Sequence, residues 1–181
     1  MIDQRTATTL QTGIDRLIRW DASVLVSVRR WEHRWIRRLM KALTRAGDTP
    51  GWIVHGMVLG ALLESSAHIV ALLAAGATAG TISCQLLKRV CRRPRPDAAI
   101  VGFAATLENP DAFSFPSGHS TVAFAIATAI ATADPVLGAL ELGLATMIAG
   151  SRIVLGAHYP LDVVAGIILG VLSGLTASCF F

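Results

Sequence analysis

The chain has 181 residues, enough for one domain. Its mean hydropathy of +0.57 and its 15% of charged residues argue against a soluble domain of this size. The net charge of +4 says less than the places where the charges fall.

A bilayer core about 30 Å thick takes roughly 20 residues of helix to cross. Several apolar runs approach that length, so the chain is expected to be an all-α integral membrane protein. About five transmembrane helices are expected, behind an N-terminal amphipathic interfacial segment. Residues 1–12 are polar and read as frayed. Residues 1–20 lack a continuous apolar core, so no cleavable signal peptide is expected. From Ile14 to Arg45 the pattern is amphipathic. Trp31, Trp35, Leu39 and Leu43 recur at four-residue spacing, with Arg34, Arg37, Arg38, Lys41 and Arg45 between them. That period suits a helix lying in the interface, with Trp at headgroup depth and Arg snorkelling. Asp15, Arg16, Arg19 and Asp21 argue against a crossing by the earlier part. Residues 1–48 thus form a basic N-terminal segment and 49–181 a transmembrane core.

Gly47-Asp48-Thr49-Pro50-Gly51 breaks and restarts the helix, with Thr49 as N-cap and Pro50 at the first helical position. A first spanning helix runs from about Pro50 to Leu63, followed by a polar turn, Glu64 to His68. A second runs from Ile69 to about Arg89, and its Gly76 and Gly80 suit close helix packing. Pro94 and Pro96 end it. Asp97 to Ser114 is a long loop with Asn109-Pro110 as a turn, and long loops are often functional. A third helix starts at Pro116-Ser117 and reaches about Ala133. After the Asp134-Pro135 turn a fourth spans Val136 to about Leu155, and a fifth runs from Pro160 to Cys179. Cys84, Cys91 and Cys179 show no metal-type clustering and read as free thiols used as small apolar residues.

Three polar islands interrupt the apolar runs: Lys88 to Pro96, Phe115 to Ser120, and Ser151-Arg152 with His158 to Asp162. If the last four helices each cross once, all three islands meet on one membrane face. Lys88, Arg95 and Arg152 then suit a tetrahedral oxyanion, Arg as a fork and Lys as a point charge. Arg89, Arg92 and Arg93 read as positive decoration of a helix end. The third helix presents unpaired N–H groups at its start, Gly118 allows close backbone approach, and Ser117 adds a hydroxyl. Alone, Pro-Ser-Gly is an ordinary N-cap; beside it, His119 is an ionisable group at the membrane edge and a functional candidate. Asp162 falls four residues after His158. Its carboxylate is expected to fold back onto the Nδ1–H of His158, leaving Nε2 as a nucleophile. His33, His55 and His68 are read as structural. No zinc-ligand spacing and no Gly-rich nucleotide loop is present, so no metal and no cofactor is expected.

The pattern Lys-x6-Arg-Pro, Pro-Ser-Gly-His and Ser-Arg-x5-His-x3-Asp resembles the type 2 phosphatidic acid phosphatase superfamily. The likeness covers roughly residues 50 to 180 and includes every position of the three-part signature. It implies an all-helical core and metal-independent chemistry. By this resemblance His158 attacks phosphorus and becomes a phosphohistidine, oriented by Asp162. His119 protonates the leaving oxygen and then activates water, while Lys88, Arg95, Arg152, Ser117 and the Gly118 N–H hold the phosphate. Membrane members typically have six spanning helices, against five here plus the N-terminal segment.

The expected function is hydrolysis of a lipid phosphate or diphosphate, of the polyprenyl diphosphate, phosphatidylglycerol phosphate, phosphatidic acid or lipid A type. A lipid phosphotransferase and a non-catalytic binder of anionic lipid are the alternatives. A soluble vanadium haloperoxidase is disfavoured by the apolar runs. The expected partners are the bilayer and the lipid substrate, not nucleic acid; a homo-oligomer is left open. Basic residues crowd the N-terminal segment on the face of the islands. The opposite face, with its two turns and the C-terminus, has no Lys or Arg. The positive-inside rule therefore favours a cytoplasmic site, in a bacterial inner membrane, whereas many bacterial members of the family face outward.

Overall fold

The computed structural model describes residues 4–30, 33–63, 66–106 and 111–181. Trp31, the Glu64-Ser65 start of the polar turn and the Asn109-Pro110 turn lie outside the described residues. The described residues are all-helical: α1 Gln4–Arg29, α2 Arg34–Ala46, α3 Thr49–Leu62, α4 Ser66–Cys91, a short α5 Pro96–Ala99, α6 Gly118–Ala133, α7 Pro135–Val154 and α8 Pro160–Ser178.

The centre of the fold is α6. Its Ala123, Ala125, Ile126, Ala127, Ala129 and Ile130 are all fully buried, and α4, α7 and α8 pack around it. Small residues let the neighbours approach. A Cβ at Gly166 or Gly174 of α8 would meet the backbone of Ser117 or Ala125 at 2.7 and 2.5 Å, and one at Gly76 of α4 would meet Ala125 at 2.8 Å. Without a hydrophobic force between helices in lipid, such close contact is what holds them together. The outer faces are apolar and exposed. On α8 they form a stripe, Val164, Ile168, Leu172 and Leu175, and α3 shows Ile53, Val54, Met57 and Leu62.

Of the five crossings expected, length and composition qualify three helices among the described residues: Ala67–Cys91, Pro135–Val154 and Pro160–Ser178. The first begins at Ala67 rather than at Ile69. The 16 residues of α6 reach only about 24 Å and the 14 of α3 about 21 Å, at 1.5 Å per residue.

Two further expectations change. α1 is helical from Gln4, not frayed through residue 12. The N-cap of α3 is Asp48 rather than Thr49, and its side chain makes no capping bond. The Asp134 turn forms as read: its Oδ1 accepts from the N–H groups of Val136 and Leu137 at 3.0 and 2.9 Å.

α1 lies across the end of the bundle that carries the site. Asp21 touches the start of α8, and Arg29 bonds to Ala104 O and Val154 O at 3.1 and 3.3 Å. Eight residues apart, both ends of this stretch meet one face, so it runs along that face. Ile14, Leu17 and Ile18 point outward, half exposed, as in an interfacial helix.

Candidate active site

Four stretches of chain meet at one end of the bundle: the end of α4, residues 111–117, the end of α7 and the start of α8. After α4, Arg92 adopts φ +47°, which turns the chain back towards the bundle. Pro94 then pairs with Phe113 in an isolated antiparallel bridge, and Ser114 N donates to Arg93 O at 2.8 Å. On the other side, Gly156 at φ +72° closes the α7–α8 turn; a Cβ there would strike the ring of Phe103 at 2.8 Å.

Lys88, Arg95 and Arg152 are 3%, 5% and 4% exposed. Cations snorkelling to a headgroup would not be so buried, and a buried charge needs partners. Lys88 Nζ donates to Phe113 O at 2.7 Å and lies 3.0 Å from Asp111 Oδ2. Arg95 donates to Asp111 O and Ala157 O, both at 2.8 Å, and pairs with Asp111 Oδ1. Arg152 Nη1 donates to Thr44 Oγ1 of α2 at 2.5 Å. The Asp111 carboxylate thus bridges Lys88 and Arg95 with two oxygens, as a phosphate would. Burial pushes its pKa up, but the hydrogen bonds and charges of Arg95 and Lys88 outweigh this and hold it below the usual range.

His158 is buried beside these cations. Its Nδ1 lies 2.7 Å from Ser114 O, so Nδ1 carries the proton. Nε2 then presents a lone pair, and Arg95 Nη1 is 3.4 Å from it. Asp162 does not accept the Nδ1 proton, contrary to expectation: its Oδ2 is 3.7 Å away. Its oxygens are taken by Arg93 Nη1 at 2.7 Å and Tyr159 N at 2.9 Å, the latter being half of a capping box on α8. The Ser114 carbonyl thus stands where the Asp162 carboxylate was expected, and Asp162 lies beside the ring without bonding to it. Burial, then Arg152, Arg95 and Lys88, push the His158 pKa well below its ordinary value. These influences favour the neutral ring, which with Nδ1 donating to Ser114 O keeps its lone pair on Nε2.

Ser117 is fully buried. Its N–H donates to Asp162 O at 2.9 Å, and its Oγ accepts from Ser120 Oγ at 3.0 Å, leaving its own hydroxyl proton for a ligand. Gly118 opens α6. His119 Nε2 is 2.7 Å from Asp48 Oδ1. From there a cavity of about 900 Å³ extends between α3 and α4, lined by Trp52, Gly56 and Gly60 on one side and Leu73, Ala77 and Thr81 on the other. It is mostly apolar, with His119 and Asp48 among its polar lining.

The model of the PAP2 superfamily matches residues 67–181, more than half of the chain. The chain belongs to the PAP2 superfamily. It is 36% identical to the decaprenylphosphoryl-5-phosphoribose phosphatase of Mycobacterium tuberculosis over 68% of both chains. It is also 36% identical to the lipid A 1-phosphatase of Rhizobium johnstonii, over 53% of this chain and 41% of that one. Among solved structures, LpxE of Aquifex aeolicus has a TM-score of 0.71 at 25% identity, covering 86% of this chain and 92% of that one. The transmembrane PAP2-type phosphatidylglycerolphosphate phosphatase of Bacillus subtilis shares the fold, with a TM-score of 0.72 at 21% identity over 91% and 86%. The chain is a hydrolase of this superfamily embedded in a membrane.

The structure places all eight residues expected from sequence at one end of the bundle, and hydrogen bonds and ion pairs lead from them to five more. Arg93 is no helix-end decoration: it forks between Asp162 and Asp21 at 2.7 Å each and lies 4.0 Å over the Tyr159 ring. Burial opposes its charge, but Asp162 and Asp21 outweigh this and raise its pKa. Asp21, Asp48, Asp111 and the Ser114 carbonyl complete the set. Sequence offered one faint signal among them, the carboxylate of Asp21 in a largely basic segment.

Proposed function

We propose that this chain hydrolyses a lipid phosphate or diphosphate without a metal ion, through a phosphohistidine at His158. One observation carries the reading. Three buried cations and an unprotonated His158 Nε2 share one small space. Phosphoryl transfer asks for little more than positioning and neutralisation of the equatorial oxygens.

The substrate phosphate takes the place of the Asp111 carboxylate on Lys88 and Arg95, joined by Arg152, the Ser117 hydroxyl and the Gly118 N–H. His158 Nε2 attacks phosphorus; the P–N bond forms and the bond to the leaving oxygen breaks. His119 gives that oxygen a proton. His119 then takes a proton from water, whose oxygen attacks phosphorus. The P–N bond breaks, and inorganic phosphate leaves. Throughout, the Ser114 carbonyl keeps the proton on Nδ1, and Asp162 offsets the cationic ring that forms.

The apolar cavity ends at His119, where the leaving group departs, so it suits the hydrocarbon chain of that group. A single groove between two helices favours one long chain, which points to a polyprenyl-linked phosphate among lipid phosphates. By charge distribution the site faces the cytoplasm.

The test is phosphate release by the purified full chain from a polyprenyl diphosphate, phosphatidylglycerol phosphate and phosphatidic acid, with and without EDTA. Release should survive EDTA, be blocked by vanadate and vanish in His158→Ala. Loss with EDTA and recovery on adding Mg²⁺ or Zn²⁺ would refute the mechanism. So would His158→Ala turnover within about tenfold of wild type, only about 1.4 kcal/mol of barrier.

A further inference from the structure

Asp21 is a fully buried carboxylate on α1, where Arg16 and Arg19 are exposed. Burying a carboxylate costs several kcal/mol unless it is well paired. Seating α1 does not require it, because Leu25, also fully buried, and the three bonds of Arg29 already do so.

Both of its oxygens are used, and both lead to the nucleophile. Oδ1 accepts from Leu161 N at 2.9 Å, in the first turn of α8, one residue before Asp162. Oδ2 accepts from Arg93 Nη2 at 2.7 Å, while Arg93 Nη1 donates to Asp162 Oδ1 at 2.7 Å. The same Arg93 offers its carbonyl to Ser114 N, and Ser114 O holds the His158 ring. One carboxylate therefore fixes the turn that carries His158 and the segment that carries its acceptor.

We propose that Asp21 is a positioning residue for the phosphatase reaction, acting through the Arg93 fork on Asp162 and His158. The amphipathic N-terminal helix is then part of the catalytic apparatus and more than a membrane anchor. This rests on the reading of His158 as nucleophile.

The experiment measures kcat and KM of the full chain in detergent, with thermal unfolding alongside. Asp21→Asn keeps an acceptor for Leu161 N–H and removes the charge opposite Arg93. It should lower kcat at least tenfold, with KM within twofold. In an Asp162→Asn background the same change should cost less than twofold, because the two act through one guanidinium. Leu25→Ala, which loosens the helix seat alone, should lower the unfolding midpoint and leave kcat within twofold. An unchanged kcat in Asp21→Asn, an equal loss in both backgrounds, or a matching kcat loss in Leu25→Ala would each overturn the proposal. Should Asp21→Asn not fold, Arg93→Lys carries the same test. An ammonium has one nitrogen and cannot fill the places of both Nη1 and Nη2, so kcat should again fall at least tenfold at steady KM, and a wild-type kcat would overturn the idea. If wild type releases phosphate and His158→Ala does not, only Asp21 is in question. If His158→Ala is active, the reading of the nucleophile fails and this inference with it.

Discussion

A neutral, buried imidazole leaves a mark on stability. Above about pH 6.5 His158 is uncharged in the folded and unfolded chains alike and contributes no pH dependence. Below that pH the unfolded chain takes up a proton that the folded chain refuses, so stability falls as pH falls, by at most about 1.4 kcal/mol per pH unit. His158→Gln removes this term. Unfolding midpoints of wild type and variant should therefore run parallel above about pH 7 and diverge below 6.5, with wild type falling more steeply; parallel curves down to pH 5 would contradict the neutral ring. Asp111 makes a second prediction. Its carboxylate occupies Lys88 and Arg95 in competition with the substrate, so Asp111→Asn should bind vanadate several-fold tighter. Weaker inhibition would mean that Asp111 holds the cations in place instead. Asp162→Asn should slow turnover about tenfold to a hundredfold, less than loss of the nucleophile. The Ser114 carbonyl preserves the tautomer, while the charge and one of the two acceptors that hold Arg93 and Tyr159 N are lost.

At the scale of elements, chain breaks were legible because Pro and Asp state them directly: Thr49-Pro50, Asp134-Pro135 and Tyr159-Pro160 all open helices within one residue of expectation. Lys88, Arg95, Arg152, His119 and His158 stood out because they interrupt apolar runs or flank them. Arg93 and Asp21 were not, because their partners lie 72 residues apart and pattern cannot pair them; each alone looks like a solvated charge. Asp162 misled for a related reason. Four-residue spacing from His158 suggested a bond, but a capping interaction with Tyr159 and the Arg93 fork claim its oxygens first. Glycine spacing gave the packing faces and nothing on which helix they face. That interface yields its own prediction. Gly170 of α8 would place a Cβ 2.5 Å from Thr121 O and 2.9 Å from Phe124 Cβ. Gly170→Leu should push α8 off α6, displace Ser117 and His119, and lower the unfolding midpoint sharply, since overpacking a rigid interface costs about 1–3 kcal/mol or more. Val164→Ala on the lipid-facing side should leave it nearly unchanged.

Orientation belongs to the whole molecule. Asp21 and Arg29 tie α1 to the site face, and Thr44 and Asp48 bring the end of α2 to Arg152 and His119. Arg16, Arg19, Arg29, Arg30, Arg34, Arg37, Arg38, Lys41 and Arg45 therefore sit on the same side as the site. The far side carries Asp134 and the C-terminus, with no Lys or Arg in its turns. An excess this large, counted without Lys88, Arg95 and Arg152, predicts the orientation by the positive-inside rule. The expected outcome is a site open to the cytoplasm, which would make this chain act on lipid phosphates of the inner leaflet. Val101 is fully exposed on the loop after α5, on the site face. With Cys84, Cys91 and Cys179 changed to Ser, a Val101→Cys chain should resist a membrane-impermeant maleimide in intact cells and react in inverted vesicles. The outer membrane, where there is one, is permeabilised first. Reaction in intact cells would put the site outside. The basic helices would then be translocated against the charge rule, and the tie between α1 and the site, rather than charge, would have decided the topology.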